Sequence, residues 1–110
     1  MPSFYEDVFA VVKKIPKGKV TTYGLVALYL GKPRASRAVG YALNSLKKDQ
    51  LQEVPWQRVI NSKREITFKG DVMRATLQKK LLEREGIEFG VDGKVDFERY
   101  LWNGKKQKSR

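Results

Sequence analysis

The residues best placed to do chemistry in this chain are cations set around a run of very small side chains. Lys17, Lys19, Lys32, Arg34, Arg37 and Lys69 are candidates for phosphate contact. Each phosphate neutralised by such a group releases counterions, so affinity would fall steeply with salt. For any single lysine a solvated face is the ordinary alternative, because phosphate binding belongs to clusters. The small residues sharpen the picture. A helix that reads the major groove presents Asn, Gln and Arg, whereas Ala35, Ser36, Ala38 and Gly40 would let the backbone come close to DNA. Close approach suits the minor groove, where base information is poor and shape matters more. Arg37 is the long residue among them and could push into the base stack. The same small residues would equally allow helix–helix packing, with Arg37 paired to a carboxylate, and composition leaves both open.

Charge agrees with a polyanionic partner. The 110 residues carry 23 Lys and Arg against 12 Asp and Glu, a formal net charge of +11. Such a balance points to nucleic acid. The chain has no Cys and no His. Disulfides, Cys/His zinc sites, thiolate nucleophiles and imidazole bases are therefore excluded. No pair of carboxylates shows the spacing of an acid–base couple. No metal and no cofactor are expected. The opening, Met1 to Phe9, lacks the layout of a signal peptide. No apolar run approaches the roughly 20 residues of a membrane span. The expectation is a soluble, monomeric protein with no membrane contact, cytoplasmic in a prokaryote or nuclear in a eukaryote.

The elements that must carry these residues follow from periodicity. Phe4, Val8, Val11, Val12 and Ile15 have helical spacing, Ser3 and Glu6 form a capping box, and Pro16 and Gly18 end the segment. Thr22 caps a second helix containing Leu25, Val26, Ala27, Tyr29 and Leu30, closed by Gly31. A third helix over Arg34 to Leu46 follows after Gly31-Lys32-Pro33, with Ala35, Ala38, Val39, Ala42, Leu43 and Leu46 as its stripe. Two short helices around a glycine turn read as a helix-turn-helix. Lys47 to Glu53 reads as a polar loop, and Val54 to Asn61 as a turn followed by a short strand. Asp71 caps a fourth helix that ends at Gly86 and buries Met73, Leu77, Leu81 and Leu82. Ile87, Phe89 and Val91 alternate, as do Val95 and Phe97, about the tight-turn pair Asp92-Gly93; this predicts a hairpin, or wing. Residues 1–104 are expected to form one domain, and Lys105 to Arg110 a basic, disordered tail.

The stretch Val54-Pro55-Trp56-Gln57-Arg58-Val59-Ile60 resembles the Pro-Cys-His-Arg-Val motif of the O6-alkylguanine-DNA alkyltransferases, with Trp in place of the reactive Cys. That replacement marks the alkyltransferase-like proteins, relatives that bind alkylated guanine without removing the alkyl group. Gly18-Lys19-Val20-Thr21-Thr22-Tyr23-Gly24 resembles the family's Gly-x-Val-[Ser/Thr]-x-Tyr segment. Arg34 to Gly40 resembles its recognition helix, and Glu85-Gly86 the end of its last core helix. The resemblance covers nearly the whole chain. It implies a mainly α fold with a small β hairpin, a winged helix-turn-helix like the DNA-binding domain of those alkyltransferases.

The resemblance also implies roles. The partner would be double-stranded DNA containing O6-alkylguanine, bound through the minor groove with the damaged nucleotide flipped out. Flipping costs a few kcal/mol and less for a poorly paired base. Arg37 would be the finger that fills the vacated place. Tyr23 would press on the 3′ phosphate, and Thr22, Arg34, Ala35, Ser36, Ala38 and Gly40 would line the DNA contact. Trp56 would wall the lesion pocket with Tyr23, Val59, Lys69 and Met73. Leu43 fits either that wall or the core. Gln57 stands where the transferases keep a His base, and it cannot accept a proton at neutral pH. Glu85 and Arg58 would support the motif. Lys69 occupies the position of a Tyr in the transferases and an Arg in some alkyltransferase-like proteins; as a strongly hydrated point charge it stacks less well than Arg, so Arg64 is a further candidate there. The family's role would be to mark the lesion for nucleotide excision repair proteins. Without the flanking motif, Trp56 would read as a core residue and Tyr23 as packing. The alternative from composition alone is a winged-helix regulator that reads a two-fold operator through its third helix.

Overall fold

The first helix begins at the cap that the sequence provides. Ser3 Oγ accepts the Glu6 amide at 3.1 Å and starts α1 (Phe4–Val12), whose Val8 and Val12 are fully buried. The structure is a computed structural model that describes residues 3–66 and 71–105. Lys69 and the expected tail beyond Lys105 lie outside the described residues.

After α1 the chain turns through Ile15 into β1 (Thr21–Thr22) and directly into α2 (Tyr23–Tyr29). Thr22 Oγ1 accepts the Leu25 amide at 3.0 Å and so caps α2. Gly31 closes it at φ 74°, a left-handed conformation that glycine adopts without steric cost. The Gly31 and Lys32 amides then reach back to the carbonyls of Leu28 and Ala27, each at 2.9 Å. Helix α3 (Ser36–Asn44) is two residues shorter at each end than expected, and the link from Leu30 to Ala35 is correspondingly longer. It buries Val39, Ala42 and Leu43. Lys47–Glu53 contains a short helix, α4 (Lys48–Leu51), where a polar loop is expected, because Gln50 Oε1 accepts the Lys47 amide at 3.0 Å and nucleates a turn.

A 3-10 turn (Trp56–Arg58) leads into β2 (Val59–Ile60). Strands β1 and β2 pair in parallel, Thr21 with Val59 and Thr22 with Ile60. This pairing was not legible at Thr21–Thr22. Successive residues of a strand face opposite ways, and β2 uses both sides. Val59 joins a first core with α1, α2, α3, Trp56 and Trp102, while Ile60 joins a second with Val20, Leu82, Ile87, Val95 and Tyr100.

Helix α5 (Val72–Arg84) is capped by Asp71, whose Oδ1 accepts the Arg74 amide at 2.9 Å. It ends at Gly86, φ 95°, where the Gly86 and Ile87 amides bond the carbonyls of Glu83 and Leu82. The expected wing is much reduced. A single antiparallel bridge joins Phe89 and Val95 around a turn closed by Gly90 and Lys94 at 2.9 Å. The Val95 amide bonds the Arg64 carbonyl instead of extending the hairpin, and Val91 is fully exposed. Phe97 opens helix α6 (Phe97–Tyr100) rather than a strand, because Asp96 caps it through the Glu98 amide. Beyond α6, Val20 bonds both Tyr100 and Trp102 through its backbone, at 2.8 and 2.7 Å.

Candidate nucleic-acid interface

The motif turn Trp56–Arg58 is held along one face of α5. Arg74, Gln78 and Glu85 fall at i, i+4 and i+11, one stripe of a helix. Each of them grips the turn. The Arg74 guanidinium carbon lies 5.0 Å from the centre of the Trp56 ring. Buried Gln78 donates through Nε2 to the carbonyls of Gln57 and Val59, both at 3.0 Å. Glu85 accepts from Gln57 Nε2 at 2.8 Å and from Arg58 Nε and Nη2 at 2.9 and 3.0 Å. Arg58 Nη1 also donates to the Ile15 carbonyl at 2.7 Å, which ties the turn to the end of the first helical segment.

This polar stripe overturns part of the expected buried side of α5. Leu82 is buried and Leu81 half-buried as expected, but Met73 and Leu77 are 84% and 49% exposed, and Gln78 is buried instead. Hydrogen bonds are directional, so three polar grips fix the rotation of the helix and swing Met73 and Leu77 outward. Sequence reasoning missed Arg74 and Gln78. Their signal was the i, i+4, i+11 spacing with Glu85, which an apolar-stripe reading passes over.

Burial alone would raise the Glu85 pKa, but the hydrogen bonds from Arg58 and Gln57, the Arg58 charge and a backbone bond from Gly18 outweigh it, so the carboxyl titrates below its ordinary range. A folded-state pKa that is depressed adds stability above the ordinary value, and this stability is lost as the pH falls through that value toward the depressed one. Acid titration of folding stability should therefore show a loss below about pH 4.3 that is shallower in Glu85→Gln. Equal acid slopes in the two proteins would contradict this role.

Trp56 is buried, 4% exposed, within the first core. Half-buried Arg74 lies over the ring, with Nη2 3.4 Å from the Leu43 carbonyl. Tyr23, half-buried at the start of α2, packs on the same core, and its ring lies against Gly40 of α3, 3.9 Å from where a Cβ would stand. Burial raises the Tyr23 pKa and the nearby Arg74 charge opposes it in part, so the phenol stays protonated. Tyr23, Gly40, Trp56 and Arg74 thus converge from α2, α3, the turn and α5.

Other expected site residues stand as follows. Arg34, Ser36 and Arg37 are exposed and Ala35, Ala38 and Gly40 half-buried, running from the lead-in to α3 to its middle. The first turn of α3 has no side-chain cap. Among the described residues no carboxylate pairs with Arg37. Thr22 is 5% exposed and spends its hydroxyl on the α2 cap, so it offers a DNA strand the helix start rather than its side chain. Val59 is buried, and both its backbone groups are engaged, with Trp56 and with Gln78. Leu43 is core. Lys19 donates to the Arg99 carbonyl at 2.9 Å, an internal tie to α6.

Fold and site together define a class: a small helical DNA-binding-domain fold of the alkyltransferase type. The family described as 6-O-methylguanine DNA methyltransferase, DNA binding domain, matches residues 3–87, and the chain belongs to it. A DNA base-flipping protein of Vibrio parahaemolyticus is 46% identical over 103 residues, 93% of this chain and 98% of that one. A DNA base-flipping protein of Escherichia coli is 41% identical, over 92% of this chain and 75% of that one. Schizosaccharomyces pombe Atl1, solved in complex with damaged DNA containing O6-carboxymethylguanine, superposes with a TM-score of 0.82 at 39% identity, covering 94% of this chain and 97% of that one.

Proposed function

We propose that this protein is a non-enzymatic sensor of O6-alkylguanine in duplex DNA. It approaches through the minor groove, turns the damaged nucleotide out of the stack and holds it against Trp56 without taking the alkyl group. One observation carries the reading: the reactive position of the motif holds Trp56, beneath the junction of α2, α3 and α5, in a chain with no Cys and no His. An indole offers apolar surface but no nucleophile, and Gln57 is engaged with Glu85 and offers no base. In this reading the uncapped start of α3, with exposed Arg34 and Arg37, meets phosphates. Arg37 fills the vacated stack, and Tyr23 presses on the 3′ phosphate. Lys69 and Met73 border the pocket. The monomeric complex then marks the lesion for nucleotide excision repair proteins. The names of the base-flipping relatives and the damaged-DNA complex of the yeast relative support the reading.

Incubation with O6-methylguanine duplex should leave the intact mass of the protein unchanged; a stoichiometric gain of one methyl group would refute the sensor reading. Arg37→Ala should weaken lesion binding by about tenfold or more, because the unstacking cost of a few kcal/mol is no longer offset. Its melting temperature should stay at the wild-type value, since the side chain is exposed and unpaired among the described residues. Undiminished affinity would remove the finger role.

A further inference from the structure

We infer that Arg74 is a specificity-determining residue that makes this protein prefer O6 substituents ending in a negative charge. The inference rests on Trp56 being the wall against which the O6 substituent lies. The Arg74 backbone is fixed by the Asp71 cap of α5, one turn before Gln78. Its guanidinium carbon is 5.0 Å from the centre of the Trp56 ring, and Nη2 is 3.4 Å from the Leu43 carbonyl. Its charge also reaches the Tyr23 phenol, where it opposes the larger effect of burial. The cation therefore stands over the indole face where three helices meet, and the indole is only 4% exposed beneath it.

Any group that comes to lie on the indole must share that face with the guanidinium or displace it. A neutral alkyl group gives up the stacking of Arg74 on Trp56 and returns only apolar contact. A substituent with a terminal carboxylate does better. It draws the guanidinium into a charge-assisted, two-pronged hydrogen bond and keeps the cation at the site. The contact at 3.4 Å to Leu43 is long for a hydrogen bond, and a carboxylate is the stronger acceptor for the same guanidinium. Arginine suits this better than lysine, because its planar fork stacks on a ring and meets both carboxylate oxygens at once.

The test is equilibrium binding at one salt concentration to matched duplexes carrying O6-carboxymethylguanine, its neutral amide O6-carbamoylmethylguanine, or guanine. The wild-type protein should bind the carboxylate about tenfold more tightly than the amide. The ratio should fall to near one in Arg74→Gln and return only in part in Arg74→Lys. Equal wild-type affinity for the two adducts would overturn the inference and needs no variant to read. So would a ratio unchanged in Arg74→Gln, which would assign the preference to the overall positive charge. A wild-type protein that fails to separate the amide duplex from the guanine duplex would instead bring down the Trp56 pocket, and this inference with it.

Discussion

Trp56→Ala should destabilise the fold by about 3–5 kcal/mol, the usual cost of deleting a buried indole and leaving a cavity. The ring is 4% exposed and shares a core with Val39, Leu43, Val54 and Val59, so little can collapse into its place. In a domain of this size each kcal/mol moves the melting temperature by roughly 4–8 °C. Urea denaturation followed by far-UV circular dichroism measures the loss. A change below about 1 kcal/mol would mean that the ring does not belong to the core. The consequence for function is practical. Lost DNA binding in Trp56→Ala would mix instability with loss of the proposed pocket wall. Trp56→Phe keeps an aromatic face with a smaller deletion and is the cleaner probe of alkyl-size preference.

Arg58→Ala should cost about 3–5 kcal/mol as well, for an electrostatic reason. Arg58 and Glu85 are only 16% and 10% exposed, and two parallel bonds join them. Removing the arginine leaves a shielded carboxylate that still accepts from Gln57 but has lost its counter-charge. It also frees the Ile15 carbonyl. Arg58→Lys should recover only part of the loss, because an ammonium cannot make the fork and reach Ile15 together. The Arg58→Ala and Glu85→Gln changes should be strongly non-additive in a double-mutant cycle. Additive losses would show that the pair is not coupled in solution.

The parts legible in the sequence were those governed by local rules. Ser3, Thr22 and Asp71 cap helices where the sequence placed caps, and Gly31 and Gly86 end them. The motif from Val54 to Ile60 gave the turn, the short strand and the family. Two misses, α4 and α6, come from local caps at Lys47–Gln50 and Asp96–Glu98; the others involve partners distant in sequence. Thr21–Thr22 becomes a strand because Val59–Ile60 lies beside it, and the expected wing shrinks because the Val95 amide is drawn to Arg64. Met73 and Leu77 looked like a buried stripe until the grips of Arg74, Gln78 and Glu85 set the rotation of α5. Gln78 in particular is a polar residue at a core position, and its burial makes sense only once the two carbonyls of the motif turn are beside it. The burial of Trp56 beneath Arg74 has the same origin.

Fluorescence anisotropy of labelled duplexes that differ in a single atom group, O6-methylguanine against guanine at one position, asks the decisive question in one titration. Selective capture of the damaged base predicts that the methylated duplex binds about tenfold or more tightly, because its nucleotide is cheaper to extrude and has an indole to rest against. Identical titration curves for the two duplexes at moderate salt would show that the basic surface binds DNA without regard to damage.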